Sequence, residues 1–305
     1  MGSTALLGTL MVPEMTARGY KKSMSIGPIL GTGGLAMLIP PSALAVLLGT
    51  LAELDIGRLL IAGIVPGLIL AVMYTVLIYL RTVIDPDAAP VYEVQWISWA
   101  RRCKMFFADV VPMVSVIILV ILLIMFGVAT PSESAAYGSL GVILLSIIYL
   151  FVVPLLTGNM KQVRAFWPEF KVALWKSMWG ASRVTIIALM ILFGSSLFSN
   201  VLAASGASVA LIEWVTGFDV SGLVMLLIMF GILLLLGMFM DQLAMMLLTV
   251  PIFFPIMAGI DFGMGAERQV IWFAVIMLLA MEISFTTPPF GLLLFVMQGV
   301  APPGT

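Results

Sequence analysis

The stretch that decides the fold is residues 31–49, GTGGLAMLIPPSALAVLLG. It is apolar and long enough to cross a bilayer, but glycines and the pair Pro40-Pro41 interrupt it. Proline lacks a backbone N–H and pushes the preceding residue out of the α region, so we expect the helix to break at this pair. Non-helical backbone at membrane depth persists only inside protein or beside a water-filled cavity. The break is therefore a candidate binding site for an ion or a solute.

A second interrupted stretch, residues 281–299, MEISFTTPPFGLLLFVMQG, carries Pro288-Pro289. Each stretch follows an apolar piece that contains Val-Pro, residues 5–15 in the first half of the chain and residues 244–257 in the second. Two interrupted hydrophobic segments at corresponding positions of two halves indicate the binding site of a transporter built from a repeat. The alternative is that these prolines only kink helices for packing, as they often do in membrane proteins.

The composition predicts a protein that crosses the membrane several times. Hydrophobic residues make up 62% of the chain, charged residues make up 10%, and the mean hydropathy is +1.21. A soluble globule with this composition would have too few polar residues to cover its core. The net charge of −1 provides no basic surface for nucleic acid. Histidine is absent and Cys103 is the sole cysteine, which excludes zinc clusters and Ser-His-Asp or Cys-His catalysis.

At about 20 apolar residues per crossing, the sequence predicts uninterrupted spans at residues 59–80, 110–126, 135–156, 184–198 and 222–240. Interrupted segments are predicted at residues 23–49, 243–257 and 270–299. Residues 5–15 are too short to span and are predicted to form one arm of a hairpin. Lys and Arg cluster in alternate connections, which the positive-inside rule places in the cytoplasm. The two Pro-Pro segments are therefore predicted to cross the membrane in opposite directions, as an inverted repeat requires.

Two stretches between the spans are amphipathic. In residues 92–106 and 161–179, apolar residues recur at spacings of three and four, with Trp and Arg nearby. This pattern favours helices in the lipid headgroup layer, and a helix that docks on a partner protein is the alternative. The predicted fold class is an all-α polytopic membrane protein, an inverted-repeat transporter with re-entrant hairpins and Pro-Pro-broken helices. Residues 1–52 and 220–305 would form its transport region, and residues 53–219 its scaffold.

Six motifs carry a resemblance to a known family. They are VPEMTARGY (12–20), GTGGLAMLIPPS (31–42), LLIAGIVPGL (59–68), FGVATPSESAA (126–136), LLLGMFMDQLAMMLLTVPIFFPIM (234–257) and TTPPFGLLLFVMQGVAP (286–302). In order and spacing they resemble the large membrane subunit of TRAP transporters, the DctM-like permease family, over nearly the whole chain. Relative to that family, we expect this chain to begin inside the first re-entrant hairpin and to stop before the last span. Gln242 stands where the family usually has proline.

The resemblance implies a secondary transporter subunit of the bacterial inner membrane that works by alternating access. It implies sodium as the coupling ion, with no other cofactor and no catalytic residue. It also implies two protein partners. An extracytoplasmic solute-binding protein would deliver an organic anion, typically a carboxylate, and a small four-span membrane subunit would complete the scaffold.

Sodium prefers oxygen ligands, which unwound backbone and hydroxyl groups supply. We therefore expect one sodium or substrate site at the first break and an inverted mate at the second. The candidates at the first site are Gly2, Ser3, Thr4, Thr32, Gly33 and Ser42. The candidates at the second site are Asp241, Gln242, Thr286, Thr287 and Pro288. For each hydroxyl, a bond to a carbonyl of the preceding helical turn is the alternative.

Asp241 lies between two apolar stretches, where an uncompensated carboxylate costs about 2.5–3.5 kcal/mol at the bilayer centre on insertion scales. An ion or helix N-termini at the tip of a re-entrant hairpin would compensate this charge. The compatible alternative is that Asp241 caps a restarting helix. Glu282 precedes the second break and could cap, pair or ligate. Residues 130–134, Thr-Pro-Ser-Glu-Ser, predict a helix start with Glu133 in the first turn.

Two other classes of function stay open at this point. A channel-like or structural membrane subunit would have the same hydropathy, but it would gain nothing from two matched breaks. An intramembrane enzyme would use Asp241 and Glu282 as a pair of carboxylates within the reach of one water molecule.

Overall fold

The computed structural model describes residues 2–91, 96–206, 221–289 and 291–301, with the single residues 210, 213 and 217. These residues form helices joined by short connections, which confirms the predicted all-α membrane fold. Among them, four helical segments are long and apolar enough to cross a membrane: Ile56–Ile84, Pro131–Leu156, Gln242–Gly259 and Ala266–Thr286. The chain divides into two compact units. The first unit is Met1–Glu93 with Leu192–Thr305, and the second is Val94–Ile191.

The first unit begins with the helices α1 (Gly2–Ala17), α2 (Lys22–Gly33), α3 (Ala43–Leu51) and α4 (Ile56–Ile84). The connection from α1 to α2 turns at Gly19, whose φ of +83° suits a residue without a side chain. Helix α1 then packs along α2. After α2, a 3₁₀ turn at Leu35–Met37 leads into the Pro40-Pro41 pair, and α3 restarts beyond it. The predicted break in this segment is therefore confirmed.

The second unit contains the helices α5 (Trp99–Met105), α6 (Val111–Met125), α7 (Pro131–Ile147) and α8 (Val153–Leu156), and most of α9 (Met160–Ala204). Helix α7 starts with a capping box. The Thr130 hydroxyl accepts a hydrogen bond from the Glu133 N–H at 3.3 Å, and the Glu133 carboxylate accepts one from the Thr130 N–H at 2.8 Å. This reciprocal pair satisfies two backbone donors that a helix start leaves free. The predicted helix start is confirmed.

Helices α6 and α8 each follow a wider, π-helical turn, at Phe106–Val110 and Ile148–Val152. Pro112 has no N–H, so the carbonyl of Ala108 four residues earlier loses its usual helical donor. The hydroxyl of Tyr149 donates to this carbonyl instead. The widened turn is thus stabilised by a side chain from elsewhere in the same unit.

Helix α9 differs from the prediction. Residues 161–179 and 184–198 were predicted as two elements, a surface helix and a span, but α9 runs through both without a break. The four residues between them contain no proline, and Gly180 in a helix costs only about 1 kcal/mol relative to alanine. Of the other amphipathic stretch, 92–106, residues 92–95 lie outside the described residues, and the helix that is described covers Trp99–Met105.

The first unit ends with the helices α10 (Gly222–Gly237), α11 (Gln242–Gly259), α12 (Ala266–Thr286) and α13 (Leu292–Val300). Helix α12 is the centre of this unit, because it packs against α3, α4, α10, α11 and α13. Its inward side chains Phe273, Met277 and Met281 are completely buried. The second predicted break is confirmed, since α12 ends before Pro288-Pro289 and α13 restarts after them.

The connection between α11 and α12 is held by Gln269, a buried residue of α12. Its amide nitrogen donates to the carbonyls of Met257 and Ile260, and its amide oxygen accepts from the Phe262 N–H at 3.1 Å. One side chain therefore satisfies three backbone groups where the chain reverses, as buried polar groups require.

Candidate functional site

The candidate site comprises the two breaks and the helix ends around them, all in the first unit. The first break occupies residues 34–42, between the end of α2 and the start of α3, and both Leu38 and Pro40 are buried in it. Helix α4 covers this break with two glycines. A Cβ on Gly63 would lie 2.6 Å from the Leu38 carbonyl oxygen, and one on Gly67 would lie 2.7 Å from Ile39 Cγ1. The missing side chains let unwound backbone sit directly on a helix.

Ser42 ends the first break and caps the helix that follows. It is buried, and its hydroxyl accepts a hydrogen bond of 3.1 Å from the N–H of Ala45 in the first turn of α3. Side-chain oxygens at this position satisfy one of the free donors of a helix start. The second break lies between the end of α12 at Thr286 and the start of α13 at Leu292, and Gly291 provides no side-chain cap for α13. Both Pro-Pro bonds are cis.

Thr4 and Gly33 of the first candidate set are brought together. A Cβ on Gly33 would overlap the Thr4 hydroxyl and lie 3.3 Å from Leu293 Cδ1, so α1, the end of α2 and the start of α13 meet at this point. Thr4 is buried, and its hydroxyl has no hydrogen-bond partner among the described residues. Gly2 begins α1 and Ser3 follows it, but the Ser3 side chain lies outside the described part.

The remaining hydroxyls of the two sets bond to their own helices. The Thr32 hydroxyl donates to the Pro28 carbonyl at 2.7 Å. The Thr286 and Thr287 hydroxyls both donate to the Ile283 carbonyl, at 3.1 and 2.7 Å. This is the predicted alternative of a bond to the preceding turn. Because a hydroxyl that donates keeps its acceptor lone pairs, these oxygens can still face an ion.

Asp241 is the N-cap of α11, since its carboxylate accepts a hydrogen bond of 2.7 Å from the Ala244 N–H. The helix-capping interpretation of Asp241 is therefore confirmed, and its role in ion binding stays a prediction. Gln242, the next residue, is buried. Thr286 and Thr287 are half-buried at the end of α12, and Pro288 is exposed in the second break.

Glu282 is the residue at this site that the candidate sets omitted. It lies on α12 and is only 5% exposed, and neither carboxylate oxygen has a hydrogen-bond partner among the described residues. The first break lies against it, because a Cβ on Gly34 would come within 2.6 Å of Glu282 Cγ and 3.2 Å of its Oε1. The signal in the sequence is a single acidic residue in the otherwise apolar interior of a helix, six positions before a Pro-Pro pair.

The family model of the tripartite ATP-independent periplasmic transporter, DctM component, matches residues 1–305. The chain belongs to this DctM family. Its members are permeases, and this DctM-family chain is a multi-pass protein of the inner membrane.

Three similar curated proteins are each longer than this DctM-family chain. It is 30% identical to the C4-dicarboxylate TRAP transporter large permease protein DctM of Pseudomonas aeruginosa, over 98% of the chain and 64% of that protein. It is 28% identical to the isethionate TRAP transporter permease protein DctMQ of Oleidesulfovibrio alaskensis, over 98% of the chain and 43% of that protein. It is 25% identical to the ectoine/5-hydroxyectoine TRAP transporter large permease protein UehC of Ruegeria pomeroyi, over 93% of the chain and 60% of that protein. The chain thus spans less than two thirds of these relatives.

Proposed function

We propose that this chain forms the substrate-translocating part of the large membrane subunit of a TRAP transporter, which takes up an organic anion together with sodium. The two breaks bind sodium and solute, and the first unit carries both breaks when it moves. The large subunit acts with a small membrane subunit, and an extracytoplasmic binding protein delivers the solute. The subunit itself catalyses no chemical reaction.

The observation that supports this proposal best is the packing of the two breaks around one helix. The first break lies against α12 at Glu282, and α12 ends in the second break. Helix α4 covers the first break through Gly63 and also packs on α12. Since both breaks share α12 within one compact unit, ligands bound at either break act on the same moving body.

The chemistry of the breaks favours an anionic solute. At each break a helix begins, α3 after Ser42 and α13 after Gly291. The N-terminus of a helix presents free N–H groups and the positive end of the helix dipole, both of which attract anions. The names of the similar permeases give C4-dicarboxylates, isethionate and ectoines as their solutes, which are small organic acids or zwitterions. A small organic acid with a carboxylate or sulfonate group is therefore the class of solute that we propose.

The test is uptake into proteoliposomes that hold the complete permease containing this chain, its small membrane subunit and its binding protein. Radiolabelled succinate, isethionate and ectoine are offered in turn, with and without an inward sodium gradient. We expect at least one solute to accumulate only when the gradient is present. We also expect Asp241→Ala and Thr287→Val to reduce sodium-driven uptake to the level of empty vesicles.

Two matched controls separate ion binding from helix stability. Ser221 caps α10 as Asp241 caps α11, so Ser221→Ala removes the same kind of capping bond outside the site. Thr75→Val removes a hydroxyl that is bonded to the carbonyl four residues earlier, as in Thr287, but within uninterrupted α4. Both controls should retain uptake. If the controls and the site variants lose uptake equally, the assignment of the site is wrong. If the wild-type protein lets solute through without accumulating it, the protein is a channel.

A further inference from the structure

We propose that Glu282 is a proton-binding carboxyl, and that its proton allows the first break to pack against α12. Glu282 belongs to neither set of candidate sodium and solute ligands. Three observations support the proposal: Glu282 is buried, its carboxylate oxygens have no hydrogen-bond partner among the described residues, and its side chain contacts Gly34.

A charged Glu282 would be costly in the observed position. Both carboxylate oxygens are buried and lack a hydrogen-bond donor among the described residues. Its neighbours one turn away on α12, Leu278 and Phe285, are buried and apolar. An ionised carboxylate in such surroundings costs several kcal/mol unless a cation or a proton neutralises it. Glu282 therefore needs a positively charged partner that the described residues do not supply.

The elements packed against α12 contain few titratable groups. Within their bounds α3, α10, α11, α13 and the 3₁₀ turn carry no Asp, Glu, Lys or Arg. Tyr74 of α4 lies close enough to interact electrostatically with Glu282, but a phenol supplies no positive charge. Arg58 of α4 pairs with Glu267 at the far end of α12, about four turns from Glu282 at about 3.6 residues per turn. The observed charges therefore leave Glu282 without a basic partner.

Among the possible cations, the geometry favours a proton. Sodium requires several oxygen ligands around it at once. Next to Glu282, however, the structure places Gly34, the buried apolar residues Leu278 and Phe285, and the ring of Tyr74. A proton needs only the carboxylate itself. It also leaves a neutral carboxyl, which can lie against the backbone of a glycine at much lower cost than an anion.

Gly34 makes the contact specific to the first break. A Cβ at this position would lie 2.6 Å from Glu282 Cγ, so only glycine lets the break approach so closely without displacing the carboxyl. Binding of the proton and closure of the break against α12 are therefore coupled. Conversely, loss of the proton would favour arrangements in which water reaches Glu282.

The test is infrared difference spectroscopy of the purified permease in lipid at neutral pH, which separates the carbonyl band of a protonated carboxyl from the bands of an ionised carboxylate. Spectra of Glu282→Gln and Glu267→Gln are each subtracted from the wild type. Glu267 is the control, because it lies on the same helix but is exposed and paired with Arg58. We expect the Glu282 difference spectrum to contain a protonated-carboxyl band that shifts in deuterated water, and the Glu267 spectrum to contain carboxylate bands.

Each other outcome would overturn the proposal. Carboxylate bands in the Glu282 difference spectrum would show an anion, and a shift of those bands on addition of sodium would make Glu282 a sodium ligand. Glutamine is the nearest neutral replacement for a protonated carboxyl, so failure of Glu282→Gln to fold would also contradict a neutral side chain. Because the measurement needs no transport, its result is independent of the solute and coupling ion proposed above.

Discussion

Gly63 is the residue at which the contact between α4 and the first break can be tested most directly. In Gly63→Ala the new Cβ would lie 2.6 Å from the Leu38 carbonyl oxygen, whereas ordinary contacts begin at 3.4 Å. The atom it meets belongs to the backbone, so no side chain can rotate away. Helix α4 and the break would have to separate by several tenths of an ångström. Overpacking of this kind costs about 1–3 kcal/mol.

The matched control is Gly231→Ala in α10, where a Cβ meets nothing within 4 Å. Both substitutions gain the same helix propensity of about 1 kcal/mol. The difference between the two variants therefore isolates the steric cost at Gly63. At about 2–4 °C per kcal/mol, we expect the apparent Tm of Gly63→Ala to fall several degrees below that of Gly231→Ala.

The assay is thermal unfolding of both variants and the wild type in the same detergent or nanodisc, followed by tryptophan fluorescence and by loss of monodisperse protein. Transport adds a second measurement, because α4 would hold the break away from its observed position. If Gly63→Ala unfolds at the same temperature as Gly231→Ala, the break does not pack on α4 as described. Helix α4 would then not cover the first break closely at Gly63.

Two further predictions concern stability. Gln269→Ala removes three hydrogen bonds at the connection of α11 and α12, each worth about 0.5–1.5 kcal/mol. Its apparent Tm should therefore fall well below that of the control Gln298→Ala, which changes an exposed glutamine on α13. Equal Tm values for the two variants would show that Gln269 does not hold this connection. Thr130→Ala removes the capping box of α7 and should cost about 1 kcal/mol, whereas Ser132→Ala, an exposed change in the same turn, should have no effect. Equal unfolding temperatures for Thr130→Ala and Ser132→Ala would contradict the role of the capping box.

The breaks and helix starts could be predicted from sequence because each depends on local chemistry. Both Pro-Pro pairs interrupt their helices, whereas single prolines do not. Pro66 lies inside α4 and Pro251 lies inside α11, so the predicted interruption of residues 243–257 was wrong. Asp241 and Thr130 likewise act on N–H groups only three residues away. In contrast, the course of α9 does not follow from such local signals, because the helix continues through Pro168 and through Gly180. A change from amphipathic to wholly apolar composition near Gly180 marks a change of environment, and it does not end a helix.

The contacts between distant segments could not be predicted in the same way. The candidate sets were chosen for hydroxyl, amide and carboxylate oxygens near the breaks, and they therefore omitted Gly34 and Gly63. Their importance comes from what lies opposite them, Glu282 and the Leu38 carbonyl, which are separated from them by 248 and 25 positions. A glycine in a membrane helix is too common to identify such a contact by itself. Only the packing of α4 and α12 on the break distinguishes these glycines from Gly231.

The two kinds of contact explain why one helix can connect both candidate sites. At Gly63 the Leu38 carbonyl of the break lies against α4, a contact that depends on shape and involves no titratable group. At Gly34 the same break meets a carboxyl, whose charge changes the free energy of the contact. A segment held by shape on one side and by a titratable group on the other can separate from α12 while it remains on α4. Because α12 continues directly into the second break, movement at Glu282 would reach Thr286 and Thr287 within two turns of one helix.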